Sequence, residues 1–455
     1  MDRGTGDERE SMAPAPRGGK GLRGWLRFEV PVTNPATNRA ARAKDPAAAF
    51  RLPNFRRYIV GLLAFTMAVQ IQGTVVGWQI YELTHDKLAL GLIGLAEALP
   101  FIGAALYAGH VADRHDRRRV ALGALAVLTA CSVALLTLPL LLSTAPTAVT
   151  RAIYGIIVVS GFARSFLQPA RQALGAEIVP RALYANAITW RTGTWQLAAV
   201  AGPAIGGVLY ALGGTSLAYA CDVGLMLLGV FAIWMVRHRS ELRPEDTGVM
   251  RESLRAGIRF VWSEPVLLGA LSLDMFSVLF GGATALLPVF AAEILNVGPR
   301  GLGLLRAAPA IGAVITSVIL ANAPPLHRAG RTLLRVVAIF GVCIIVFGAS
   351  TSFPLSVIAL AASGAADMVS VFIRSTLVQT VTPVHMLGRV SAVNSIFIGS
   401  SNEIGMFESG VTAQVFGTVP SVVLGGITTL LVVAVTAWRL PKLRMLGRME
   451  QAANG

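Results

Sequence analysis

Ten charged side chains stand inside otherwise apolar runs of this chain: Glu97, Arg164, Arg191, Asp222, Asp274, Arg306, Asp367, Arg374, Glu403 and Glu408. A charge at the centre of a membrane-crossing helix costs about 2.5–3.5 kcal/mol on insertion scales. Side chains that costly are expected to face a water-filled cavity, a ligand or a counter-charge. A carboxyl group in such a place can carry a proton, because desolvation favours the neutral form of an acid. An arginine there can hold an anion. Glu97, Arg164, Asp222, Asp274, Arg306 and Asp367 form the candidate set for cavity lining and proton coupling. For each, a structural ion pair or hydrogen bond is the competing role. No histidine lies within an apolar run at mid-depth, so proton transfer falls to carboxylates. Arg171 and Arg374 stand nearer the ends of their runs, where long side chains snorkel, and are set aside as ligands.

Two further clusters carry physical meaning. The stretch Gly109-His-Val-Ala-Asp113-Arg114-His-Asp116-Arg117-Arg118 sets an acid before a run of arginines. An acidic side chain can cap a helix N-terminus and oppose its positive dipole end, and Arg117 or Arg118 can pair with Glu177. Gly193, Gly202, Pro203, Gly206 and Gly207 strip the side chains from one stretch of an apolar run. Small residues let helix backbones approach closely, and Pro203 permits a bend. Gln72 and Gln79 are seven apart and share a helix face, as do Asn394, Ser401 and Glu408. Trp190 and Trp195 can line a pocket for aromatic cargo or pack in the interior. Cys131, Cys221 and Cys343 lie singly in apolar runs without metal-ligand spacing, and the six histidines form no set. No metal and no cofactor is expected. Phosphate-binding loops and nucleophile motifs are missing too, so an enzyme or a self-contained ATP-driven pump is not expected.

The elements that position these residues follow from composition. Of 455 residues, 54% are hydrophobic and 14% charged; mean hydropathy is +0.64. A soluble globular protein has about a quarter of its residues charged, so the bilayer is the expected solvent. Apolar runs long enough to span it lie near residues 58–82, 88–110, 119–142, 152–174, 184–212, 216–236, 265–292, 301–321, 332–350, 354–378, 390–416 and 420–438. The net charge of +15 sits mostly between the runs, a pattern of membrane orientation rather than nucleic-acid binding. Basic residues crowd the loops after even-numbered spans: Arg114, Arg117, Arg118 and Arg119 in one, six arginines between Arg237 and Arg259 in another. Opposite loops carry only Lys87, Arg151 and Arg300. Both termini are therefore expected on the cytoplasmic side. The N-terminal tail, residues 1–51, has no apolar run and is expected to be disordered, although Leu22 to Val30 mixes Trp and Phe with Arg and can touch a membrane surface.

The chain also repeats itself. Gly94 to Ala104 reads GLAEALPFIGA and Gly303 to Ala313 reads GLLRAAPAIGA, at an offset of 209. Arg171 precedes Pro180 by nine residues, as Arg374 precedes Pro383, at an offset of 203. Two echoes in register imply duplication of a six-helix half. The expected organisation is an N-terminal half over 52–236, a cytoplasmic loop over 237–264, a C-terminal half over 265–440 and a cytoplasmic tail over 441–455. Parallel halves place a substrate site between them near mid-membrane.

The loop at Gly109 to Arg118 closely resembles the signature loop of the major facilitator superfamily, departing from it at Asp116, where the pattern has Gly. Gly193, Gly202, Pro203, Gly206 and Gly207 match that superfamily's antiporter signature. Asn54-Phe55-Arg56-Arg57, Phe162 to Arg164, Pro169 to Gln172 and Leu286 to Phe290 resemble its branch of enterobactin exporters and macrolide efflux proteins. The resemblance spans roughly residues 52–440. It implies an all-α protein of twelve transmembrane helices in two pseudo-symmetric halves. It also implies that the Asp113 loop latches onto the start of the eleventh span, near Arg389 to Ser391. The expected activity is export of a siderophore- or drug-like small molecule across a bacterial-type inner membrane by alternating access, in exchange for protons, by a monomer. An uptake symporter, or a non-transporting sensor on the same fold, is the alternative.

Overall fold

The structure is a computed structural model that describes residues 47–141, 146–238, 248–322, 328–383 and 386–445. The tail with Leu22 to Val30 lies outside the described residues. Helices α1 (Pro53–Thr84), α2 (Lys87–Arg114), α3 (Arg117–Leu141) and α4 (Pro146–Glu177) come first. The helical stretch Tyr184–Trp234 then breaks at Gly213 and Gly214, where Gly214 has φ 62° and ψ −156°. Only glycine reaches that backbone region without strain, so the break separates α5 (184–212) from α6 (215–234). A linker helix, Gly248–Ser263, leads into α7 (Pro265–Ile294), which loosens after Gly281 into 3-10 and π turns. Helices α8 (Gly298–Ala321), α9 (Ala329–Ala349), α10 (Phe353–Val381), α11 (Leu387–Phe416) and α12 (Thr418–Arg439) complete the bundle.

Among the described residues, ten helical stretches are long and apolar enough to cross a membrane. One of them is the 54-residue Arg181–Trp234, which the Gly213–Gly214 break divides in two. Helix α11 falls short of the apolar criterion, carrying Arg389, Glu403 and Glu408 along its 30 residues. The linker helix is an addition to the sequence reading, which has a loop there. Arg255 and Arg259 stand four residues apart and so share one face, while Val261 is fully buried beside Val390 and Val393 of α11.

Local chemistry starts several helices. The Asp86 carboxylate accepts from the Leu88 N–H at 2.9 Å and opens α2. The Asp116 carboxylate accepts from the Arg119 N–H at 3.0 Å and opens α3. The departure from the signature loop is thus an N-cap. Asn54, Arg57 and Arg118 close off α6 at the same end as Asp116. Asn54 Nδ2 donates to the Arg237 carbonyl at 2.9 Å, Arg57 to that of Met235 at 3.0 Å, and Arg118 to that of Trp234. Cations at the last carbonyls of α6 complement its dipole.

One end of the bundle, here the terminal end, carries the start of α1 and the end of α12. The halves meet toward the opposite, distal end, along two seams related by the duplication. On one seam, a Cβ added at Gly94 would lie 2.7 Å from the Glu403 carbonyl oxygen, and one at Gly91 2.9 Å from the Gly410 Cα, so α2 touches α11 backbone to backbone. On the other, a Cβ at Gly303 would lie 2.6 Å from the Pro203 carbonyl, so α8 touches α5 in the same way. Tyr81 of α1 donates its hydroxyl to Glu293 of α7 and adds a polar clasp. Toward the terminal end, a side chain at Gly103 or Gly109 of α2 would meet nothing within 4 Å. The outer surface is apolar, with Phe231, Ile315, Val318 and Leu431 exposed, as lipid-facing positions require.

Candidate functional site

Between the halves lies a cavity that ends at the distal seal. Its inner part, about 210 Å³, is lined by Gln72, Gly73, Glu97, Arg164, Arg306 and Glu403 among others. A middle part of about 240 Å³ shares Glu97, Arg164 and Glu403 and adds Phe65, Phe101, Arg171 and Trp195. An outer part of about 310 Å³ shares Arg171 and Trp195 and adds Arg191 and Tyr58. Shared walls make these one path from the distal seal to the terminal end.

Helix geometry accounts for the charged lining. Gly161 of α4 packs on the backbone of α2, where a Cβ would meet the Glu97 carbonyl at 2.7 Å. Arg164, one turn on, therefore reaches the Glu97 carboxylate and pairs with it. The second half repeats the unit: Gly364 of α10 packs on Pro309 of α8, and one turn on stands Asp367. Arg306 occupies the place of Glu97. The equivalent pair has opposite charges and does not form. Instead Arg306 crosses to α1 and donates to the Gly73 carbonyl.

Glu403 belongs to this group, although sequence reasoning placed it outside the favoured set. It lines the inner and middle cavity, has Arg164 and Arg306 as its electrostatic neighbours, and its Oε2 has no hydrogen-bond partner. The one available signal was the charge itself in an apolar run, which α11 shares with Glu408.

The other carboxylates of the candidate set lie off the described cavity wall. Asp222 of α6 is fully buried within the first half. Gln72 Nε2 donates to its Oδ2 at 3.4 Å, while Oδ1 has no partner. Asp274 of α7 is ion-paired with Arg374, and Asp367 stands 3.8 Å from the same guanidinium. Both arginines set aside as snorkelling do something else. Arg374 is 4% exposed and locked against Asp274. Arg171 faces the cavity, its guanidinium 5.3 Å from the Phe65 ring centroid. The repeat puts an arginine at both places, and the residue opposite decides whether it is buried or presented.

Arg117 pairs with Glu177, and Asp113 and Arg114 are exposed at the terminal end. In the antiporter signature, Gly202 and Gly206 pack on Gln70 and Ile71 of α1, and Gly207 packs across the seam on Gly303 of α8. A side chain at Gly193 would meet nothing within 4 Å. Trp195 is 53% exposed on the cavity wall, whereas Trp190 packs edge-on to Phe50 at 4.3 Å.

Two duplicated helical halves around a polar cavity, wrapped in an apolar surface, define a multi-pass membrane transporter rather than an enzyme. The profile of one family, described as transmembrane secretion effectors, matches residues 44–454. The chain belongs to that family, within the major facilitator superfamily. The enterobactin exporter EntS of Shigella flexneri is 31% identical over 356 residues, covering 75% of this chain and 80% of the exporter. EntS of Escherichia coli O81 is 30% identical over 354 residues, with the same coverage. Among solved structures, a bacterial homologue of the human lysosomal transporter Spinster, inward-facing and unoccupied, superposes with a TM-score of 0.64 at 13% identity, covering 89% of this chain and 98% of that one. A POT-family transporter in complex with 5-aminolevulinic acid gives 0.66 at 10% identity, covering 86% and 96%. At such identities these two speak for the fold alone.

Proposed function

We propose that this protein exports a siderophore- or drug-like small molecule across the inner membrane by alternating access, in exchange for protons. The observation that carries the reading is the one-sided cavity, sealed distally by the α2–α11 and α5–α8 seams and open toward the terminal end. The basic loops support a cytoplasmic place for that end. The cavity then opens to the side from which an exporter loads. Similarity to enterobactin exporters supports the direction and the cargo type.

Transport requires the distal seams to part and the terminal end to close. In the closed form the Asp113 loop caps the start of α11 across the halves. Glu97, Arg164, Arg306 and Glu403 are the residues for cargo contact and proton exchange. The working unit is a monomer.

The test is transport by the purified protein in proteoliposomes, scanning siderophores and amphipathic drugs with and without a pH gradient. Accumulation stimulated by a gradient opposed to cargo movement supports exchange. Cargo and protons moving in the same direction would establish symport and overturn the reading.

A further inference from the structure

The cavity wall is unevenly charged. Arg191, Arg171, Arg164 and Arg306 follow one another from the terminal mouth to the distal seal. Glu97 and Glu403 are the carboxylates on the described wall of the same path. Four cations against two anions leave a formal excess of two positive charges. Arg171 and Arg164 are seven residues apart on α4, two turns or about 10 Å, and Arg191 lies nearer the mouth on α5. An anion moving inward would thus pass from one guanidinium to the next.

These arginines differ from those explained by orientation, which stand in loops. Arg164 is paired with Glu97 and Arg306 donates to the Gly73 carbonyl, but Arg171 and Arg191 also differ from an arginine that holds the fold together. In the second half Arg374 shows what that looks like: buried, with the Asp274 carboxylate against it. At the matching place Arg171 has an aromatic ring, Phe65, and the side chain of Gln168. Among the described residues no carboxylate lies within ion-pair distance of Arg171 or Arg191. Their charge is left to the cavity. Low-dielectric walls focus such a field and concentrate anions, and the planar guanidinium suits carboxylates, sulfonates and phosphates bidentately. Phe65, Phe101 and Trp195 line the same middle section and offer flat apolar faces.

We propose that the cargo class is an organic anion with an aromatic body, drawn in along the column Arg191, Arg171, Arg164 and Arg306. This assignment rests on the export reading for its direction, and on the cavity alone for its chemistry.

Two xanthene dyes of nearly equal shape and opposite charge, fluorescein and rhodamine 123, test it by equilibrium fluorescence polarisation with the purified full chain in nanodiscs. Fluorescein is expected to bind at least tenfold more tightly than rhodamine 123, with an affinity that falls as salt rises. Arg171→Gln and Arg191→Gln should each weaken fluorescein severalfold and leave rhodamine 123 unchanged or improved. Arg171→Lys should keep the preference and Arg171→Glu should reverse it. Unaltered gel-filtration profiles and melting temperatures for the variants keep the comparison on binding. Equal or tighter binding of rhodamine 123 by the wild type overturns the assignment, as does failure to bind fluorescein at all. A protein that pumps cations and ignores anions would sink this inference and leave export standing. One that binds fluorescein but moves nothing across a membrane would do the reverse.

Discussion

Arg164 pairs with Glu97 across α4 and α2, while Asp367 and Arg306, their counterparts in the second half, carry the swapped charges and stand apart. One duplicated unit has thus been put to two uses. In the first half it closes on itself at the cavity wall. In the second, Arg306 reaches over the seam to the Gly73 carbonyl and Asp367 turns toward Arg374. Arg306 therefore senses the seam directly, because parting α8 from α1 must break its hydrogen bond.

The first prediction concerns proton exchange. Glu97→Gln removes the charge that Arg164 holds and the site at which a proton would compete with it. Export in proteoliposomes is expected to lose its stimulation by a pH gradient, falling to the rate seen without one. If gradient-driven export persists, the proton belongs elsewhere, and Glu403→Gln is the next variant to measure.

A second prediction concerns the loop after α2. Asp113→Asn keeps shape and removes charge at an exposed position, so membrane insertion should be intact. Export is expected to fall at least tenfold. Cysteines introduced at the terminal ends of α2 and α11 should cross-link less often in the variant. Wild-type export together with wild-type cross-linking would remove the latch from the mechanism.

The seam gives a third. Gly303→Val drives a branched side chain into the Pro203 carbonyl, Pro203→Leu alters the α5 turn that Gly303 meets, and Gly202→Val overpacks that turn from behind, against Gln70 of α1. Overpacking of this kind costs about 1–3 kcal/mol. The distal seal should loosen and export should drop. Labelling of a cysteine placed at Gln72, deep on the cavity wall, by an impermeant maleimide added from the distal side should speed up. Unchanged labelling and unchanged export would reduce the glycines to ordinary packing.

How far the sequence reaches is clear from particular residues. Hydropathy marks most spans, and the Gly213–Gly214 break is visible as a glycine pair between two apolar runs. Glu97 and Arg306 are found together because the duplication puts them in one register. Helix α11 is harder, since Arg389, Glu403 and Glu408 dilute its apolar run. Arg171 and Arg374 mark the limit. Both look like interfacial arginines, and only the partner across the bundle, Phe65 or Asp274, tells which is presented and which is buried. The linker helix was legible in the four-residue spacing of Arg251, Arg255 and Arg259, but a basic run reads first as orientation.

The last prediction separates structural charge from working charge in the second half. Arg374 and Asp274 have side chains only 5% and 7% exposed, and they are directly paired. Removing one partner of a buried pair strands the other and costs about 3–5 kcal/mol, whereas replacing both by apolar groups of similar size is often neutral or stabilising. Arg374→Met should therefore lower the melting temperature in micelles by several degrees, and Arg374→Met with Asp274→Leu should recover most of it. The non-additivity of the pair is the measured quantity. Asp367 differs: it stands 3.8 Å from the guanidinium and its side chain is 44% exposed. A pair that open contributes about 0–1 kcal/mol, so Asp367→Asn should leave the melting temperature nearly unchanged. Any effect of that variant on export then reflects transport and not folding. A fall in stability for Asp367→Asn as large as that for Arg374→Met would show that the three residues act as one structural unit, and Asp367 would leave the set of proton-coupling candidates.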